Sequence, residues 1–245
     1  MDPNPSQPAT LRQWSLSTLW VSTVVAVAAG AVVVWWDLDS PIRFGLGVSG
    51  GLVVVAATTG WLMRPLAELS ITLPTVLTLT RGAALAVFGG FLATGVADGS
   101  LTWLPAALFG FAAGVDAVDG ALARATDSVS ALGARLDTET DGLAVLFGTV
   151  AVVAAAVVPA AFLIVGVARY AFVVGIWQRK RRGLPVYELP PSQLRRLLGA
   201  TAMVTIWIAL LPVVPAAVSR PLAALVVVPF VINFTLDWLA VSGRR

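Results

Sequence analysis

An all-α, polytopic membrane bundle is the fold class expected of this chain, and three observations lead there. The 245 residues are 58% hydrophobic and only 12% charged, and their mean hydropathy is +0.89, too apolar for a water-soluble domain. Charge-free stretches such as LSTLWVSTVVAVAAGAVVVWW (16–36) and LLGATAMVTIWIALLPVVPAAVS (197–219) reach the roughly 20 apolar residues a helix needs to cross a bilayer. The basic residues gather at the ends of such stretches, which is the pattern of a topology signal and not of a nucleic-acid surface, despite a pI near 10.2.

Taken in order, apolar runs between charged or Pro-rich breaks predict helices over 16–36, 43–63, 74–97, 101–124, 134–158, 160–179, 196–217 and 220–240. The first is too long for a secretory h-region and has only Arg12 ahead of it, so it reads as a retained span. The second follows Pro41 and Arg43 and ends before Arg64 and Pro65; the third opens at LPT (73–75). The fourth and fifth flank a charged stretch, and only VPAA around Pro159 divides the fifth from the sixth. QRKRRGLPVYELPPSQLRR (178–196) separates the sixth from the seventh, and prolines near 212–221 separate the last two.

That 178–196 connection holds six of the 16 basic residues, so it is expected in the cytoplasm. Alternating outward places both termini inside, with Arg12, Arg64, Arg81, Arg124, Arg135, Arg244 and Arg245 on the same side. Only Arg43 and Arg220 then fall outside, so eight spans satisfy the charge rule.

Six of the 13 acidic residues fall within DAVDGALARATDSVSALGARLDTETD (116–141). Asp116 and Asp119 stand three apart and Asp137 and Asp141 four apart, so each pair shares a helix face, and the threading brings both to cytoplasmic helix ends. Carboxylates held this close beside lipid must be neutralised by protons, cationic side chains or metal ions. Arg124 and Arg135 are the candidates for simple ion pairing, whereas Asp127 and Glu139 fall off the spacing and are expected in solvent. Without cysteine or histidine, disulfides, thiolate nucleophiles, His-based triads and the usual zinc ligand sets are excluded. Oxygen-only sites suit hard cations such as Mg2+, Mn2+ or Ca2+.

Two further features invite a chemical reading. GLGVSG (45–50) matches the dinucleotide fingerprint G-x-G-x-x-G, but no strand precedes it and it lies inside an apolar run. Gly47 with Gly51, and Gly110 with Gly114, are better explained as small-xxx-small packing positions. Trp14, Trp35, Trp36, Trp61, Trp103 and Trp238 are expected in interfacial belts. Arg169 interrupts the sixth span about 10 residues, hence ~15 Å, before the basic run. An arginine at that depth faces a polar cavity, an anion or a buried carboxylate, while Arg179, Lys180, Arg181 and Arg182 mark topology and meet anionic headgroups.

The spacing Asp116-x2-Asp119-Gly120-x2-Ala123-Arg124-x8-Gly133-x3-Asp137-x3-Asp141 resembles the signature of the CDP-alcohol phosphotransferase family at all eight positions. LPTVLTLTR (73–81) is similar to the opening of the family's first core helix, with Pro74-Thr75 where Pro-Asn is usual. The resemblance implies a six-helix catalytic domain over 64–245, with its core helices at about 65 to 242, preceded by an addition of two spans within 1–63. It implies two divalent cations, Mg2+ or Mn2+, held by Asp116, Asp119 and Asp137, with Asp141 as catalytic base and further ligand. Asp116, Gly120, Ala123, Arg124 and Gly133 are the implied nucleotide contacts. The implied partners are a CDP-linked lipid, an alcohol acceptor, surrounding membrane lipids and a second copy of the chain. No nucleic acid is expected. The implied location is the cell membrane, with the active site facing the cytoplasm.

The acceptor is less constrained than the reaction. Arg169, Arg195 and Arg196 are the candidate cations for a phosphorylated polyol such as glycerol 3-phosphate or inositol phosphate, because a second anion must be held beside a pyrophosphate. Serine or another unphosphorylated alcohol is the alternative. A cation transporter is the competing class, but its path would need polar groups on both sides of the midplane, and here they cluster at one end.

Overall fold

The computed structural model describes residues 7–35, 38, 40–63, 73–95, 102–114 and 131–244. Among these residues the secondary structure is helical, without strands. The helices are α1 (Gln7–Trp35), α2 (Pro41–Met63), α3 (Leu73–Thr94), α4 (Leu104–Gly114), α5 (Ala131–Ala154), α6 (Leu163–Arg181), α7 (Gln193–Leu210) and α8 (Ala216–Val241). The fifth and sixth expected spans are thus separate helices, joined through a short 3-10 turn at Ala160–Phe162. Among the described residues, four stretches are long and apolar enough to cross a bilayer: Pro41–Thr58, Leu77–Thr94, Ala160–Arg181 and Ala216–Val241. The described apolar parts of α1 and α4, Leu19–Val34 and Leu104–Gly114, are shorter. The chain is an integral membrane protein of the all-α class.

It divides into two compact units, Met1–Ala144 and Val145–Arg245. In the first, α2 lies along α3 through a row of small residues. A methyl group built on Gly47 would stand 2.4 Å from the Gly89 carbonyl oxygen, and one on Gly89 would stand 2.8 Å from the Gly47 carbonyl oxygen. One on Gly51 would press on the Ala86 backbone at 3.0 Å. Gly47 and Gly51 therefore do what their spacing implied: with no side chain between them, the two backbones reach the close contact that drives association in lipid. Phe44 seals one end, its ring meeting that of Phe91 edge-on at 5.1 Å between centroids. Val21, Val25 and Val32 of α1 complete the core against Val48, Val87 and Phe91. The glycine fingerprint at 45–50 is continuous helix within α2, so it forms no phosphate-binding loop.

These distances give a direct test of the interlock. Gly47→Ala should lower the melting temperature in detergent by the equivalent of about 1–3 kcal/mol, since its methyl meets backbone that cannot yield cheaply. Gly50→Ala, with nothing within 4 Å, should be neutral or slightly stabilising through helix propensity. Equal melting temperatures for the two variants would remove the glycine row as the source of α2–α3 packing.

In the second unit, helix ends follow the prolines. The fifth helix stops at Ala154, short of the expected 158, and Ala156 turns the chain with a φ of 56°. The seventh stops at Leu210 instead of 217, because Leu211 precedes Pro212 and takes extended geometry at ψ 124°. Extended Pro215 then opens α8, which carries Pro221 and Pro229 inside it. Ser192 caps α7, its hydroxyl accepting from the Arg195 amide at 3.4 Å. On α6, Gly175 leaves room for the Trp238 indole of α8, and Phe172 meets Phe234 and Trp238 edge-on at 5.7 and 5.6 Å. Trp238, expected in an interfacial belt, thus also packs α8 against α6. Arg179, expected to face headgroups, donates to the carbonyls of Pro185 and Ser242 and ties the 184–192 connection to the end of α8.

Candidate active site

Within the first unit, Asp137 and Asp141 project from one face of α5, one helical turn apart. A cation is described beside them, although Arg135 is exposed and Arg124 lies outside the described residues. That cation is Arg81 of α3. Its side chain is fully buried, one terminal nitrogen reaching Asp137 Oδ1 at 2.5 Å and the other reaching Asp141 Oδ1. Its Nε donates to the Ala112 carbonyl of α4 at 2.6 Å. Three helices thus meet at one guanidinium. The two carboxylates keep about a third of their surface, 36% and 30%, so they are reachable as well as paired. In the sequence Arg81 counts as a cytoplasmic basic residue and as the last residue of the LPTVLTLTR segment, with no role in the site. A basic residue near the start of a predicted helix reads that way unless its tertiary partners are known.

Asp116, Asp119, Gly120, Ala123, Arg124 and Asp127 lie outside the described residues. Gly133 is in the first turn of α5, and Glu139, expected in solvent, is half-buried. Among the described residues no three carboxylates come together. The described half of the acidic set nevertheless suits a hard cation: two oxygen ligands on adjacent turns, accessible, and held by a fixed donor.

The second unit contains a cavity of about 250 Å3 whose lining includes Arg169, Arg195, Asn233 and Asp237, with Phe172, Phe230 and Phe234 as apolar wall. Arg169 and Arg195 are thereby brought to one chamber, while Arg196 is exposed and not among its lining residues. Arg195 pairs with Asp237 Oδ1 at 2.9 Å, and Asn233 Nδ2 donates to Asp237 Oδ2 at 2.9 Å. Arg195 also donates to the Pro190 carbonyl. The cavity is small and combines two guanidinium groups, a carboxylate and an amide with an apolar lining, as expected for a site that orients a compact polar ligand.

Asn233 and Asp237 are absent from the sequence-based candidates, where Arg169 stood as the only deep charge outside the acidic cluster. A signal was present. Asp237 ends the apolar run LVVVPFVINFTLDW (225–238), and an ionisable residue in such a run is a functional candidate by default. Its i, i+4 relation to Asn233 puts both on one face.

Comparison with curated proteins and with solved structures returns no match. The family model described as CDP-alcohol phosphatidyltransferase matches residues 71–236. That interval runs from the segment just ahead of α3 into α8, and takes in Arg81, all four signature aspartates and the cavity residues up to Phe234. The match covers more than half the chain, so this protein belongs to the CDP-alcohol phosphatidyltransferase family.

Proposed function

We propose that the protein transfers a phosphatidyl-type group from a CDP-linked lipid to an alcohol, releasing CMP, and that the acceptor is a phosphorylated polyol such as glycerol 3-phosphate or inositol phosphate. Family membership supports the reaction class. The observation that carries the acceptor reading is the cavity lined by both Arg169 and Arg195. Two guanidinium groups in one small chamber suit a phosphate dianion, which binds them through charge-assisted, bidentate hydrogen bonds.

In this reading Asp116, Asp119, Asp137 and Asp141 hold two divalent cations, Mg2+ or Mn2+. When bound, these supply charge neutralisation at the CDP pyrophosphate. Asp141 accepts the proton of the acceptor hydroxyl at a carboxylate oxygen. The acceptor oxygen forms its bond to the phosphorus bearing the lipid, while the bond from that phosphorus to the CMP oxygen breaks in line. Arg124 stabilises the charge left on the CMP phosphate. Gly120, Ala123 and Gly133 present no side chain large enough to keep the nucleotide from the helix backbone. Asp237, joined to Arg195 and Asn233, sets the orientation of one acceptor-site guanidinium and can accept a polyol hydroxyl. The active site and both termini face the cytoplasm, where CMP is released, and the chain works as a homodimer.

The test is CMP release by purified protein with a CDP-linked lipid, Mg2+ or Mn2+, and a panel of alcohols. Turnover with glycerol 3-phosphate or an inositol phosphate, and none with serine or free inositol, is the expected outcome. Turnover with serine alone would overturn the acceptor reading and leave the reaction class standing. No CMP release with any alcohol would remove the reaction class.

A further inference from the structure

We infer that Arg81 is a positioning residue, whose planar guanidinium presets Asp137 and Asp141 for the cations that the proposed reaction requires. The inference rests on that reaction for its purpose and on geometry for its substance. Two carboxylates one helical turn apart repel each other, and left alone their side chains would diverge in rotamer and draw in water or protons. A fully buried guanidinium that reaches both through different nitrogens converts the repulsion to attraction and fixes one oxygen of each. The third contact, from Nε to the Ala112 carbonyl at 2.6 Å, sets the plane of the fork, so the two donors cannot swivel. Only arginine has this arrangement: five N–H groups in one rigid plane, where lysine offers a single point of charge.

The surroundings favour rigidity over accommodation. Residues 81–91 of α3 are buried throughout, and the same helix is keyed to α2 through Gly47, Gly51 and Gly89. The backbone that carries Arg81 is therefore braced on one side by α2, while its side chain reaches α4 and α5 on others. This connects the N-terminal pair of helices to the acidic site within a single packed unit. A support of this kind acts through the residues it holds, as the hydrogen-bond partners of metal ligands do, where loss costs about 10- to 100-fold in metal affinity or activity.

The decisive variant is Arg81→Lys in the full-length chain, which keeps the charge and removes the fork. Calorimetry with Mn2+ in the presence of CDP should show affinity weakened about 10-fold or more, in protein whose melting curve remains cooperative. Adding Arg81→Lys to Asp137→Asn should weaken Mn2+ binding by less than the sum of the two single effects, because residues acting through one another are not additive. Mn2+ affinity within about twofold of wild type in Arg81→Lys, or full additivity in the double variant, would overturn the proposal. Should Arg81→Lys fail to fold, wild-type protein labelled with 15N-arginine replaces it. One guanidinium with hindered rotation and slowed hydrogen exchange should shift on adding Mg2+ and CDP, and the absence of any such signal would also overturn the proposal. Wild type that binds no Mn2+ even with CDP would remove the metal reading itself, and the positioning role with it. Normal wild-type binding with normal Arg81→Lys binding removes the positioning role alone.

Discussion

Asp141→Asn is expected to lower kcat for CMP release by about 10^3-fold, within the range over which a positioned general base contributes, while leaving the protein folded and able to bind nucleotide. Asparagine has nearly the shape of aspartate and keeps an amide oxygen that can accept from Arg81, so the contact between α3 and α5 is retained in outline. What it lacks is a group able to take a proton from the acceptor hydroxyl, together with one negative charge. Asp137 remains to receive the other Arg81 nitrogen, so the melting temperature should fall by only a few degrees, the equivalent of about 1 kcal/mol. Stopped-time assays of CMP, read beside Mn2+ calorimetry on the same sample, separate the two roles of the carboxylate. Unchanged turnover would remove Asp141 as the base. Lost turnover with lost Mn2+ binding would make it chiefly a ligand.

The parts of this arrangement that were legible in the sequence are those with a local physical signature. Apolar runs broken by charge or proline place eight helices, because length in lipid and helix termination are both decided within a few residues. The corrections are local as well: α7 stops at Leu210 because Pro212 forbids helical geometry one residue earlier, although hydropathy alone runs on to 217. The 3- and 4-residue spacing of the aspartates is legible for the same reason, since helix periodicity converts it directly into a shared face. Arg81 is different. It stands 56 and 60 residues from the carboxylates it joins, and no periodicity links positions so far apart. Its partners follow from how α3, α4 and α5 meet around one guanidinium, which no local pattern records. Asp237 is hard to read for a simpler reason: a single carboxylate near a span end has the pattern of a boundary marker, and only the fold brings Arg195, 42 residues away, against it.

Arg169→Ala is expected to raise the KM for the acceptor about 10- to 100-fold, the loss of roughly 1.5–3 kcal/mol from a charge-assisted contact, with the KM for the CDP-lipid changing far less. In the proposed reaction the pyrophosphate goes to the carboxylates, their cations and Arg124, and the acceptor to the chamber lined by Arg169, Arg195, Asn233 and Asp237. Arg195 is engaged by Asp237 and by the Pro190 carbonyl, so it is held in place but part of its charge is already answered. A phosphate dianion entering the chamber meets that same carboxylate as a repulsive neighbour. Arg169 is the second guanidinium in that lining, and its loss leaves Arg195, already facing Asp237, as the remaining cation among the lining residues. Arg169→Lys should recover part of the loss, because a point charge persists without the bidentate geometry. The measurement is a pair of saturation curves, one for each substrate, at fixed Mg2+ and two salt concentrations. A dianionic acceptor should show the larger salt dependence in wild type, and the dependence should shrink in the variant. If the CDP-lipid KM rises instead and the acceptor KM holds, Arg169 belongs to the nucleotide side and the chamber has been assigned to the wrong substrate.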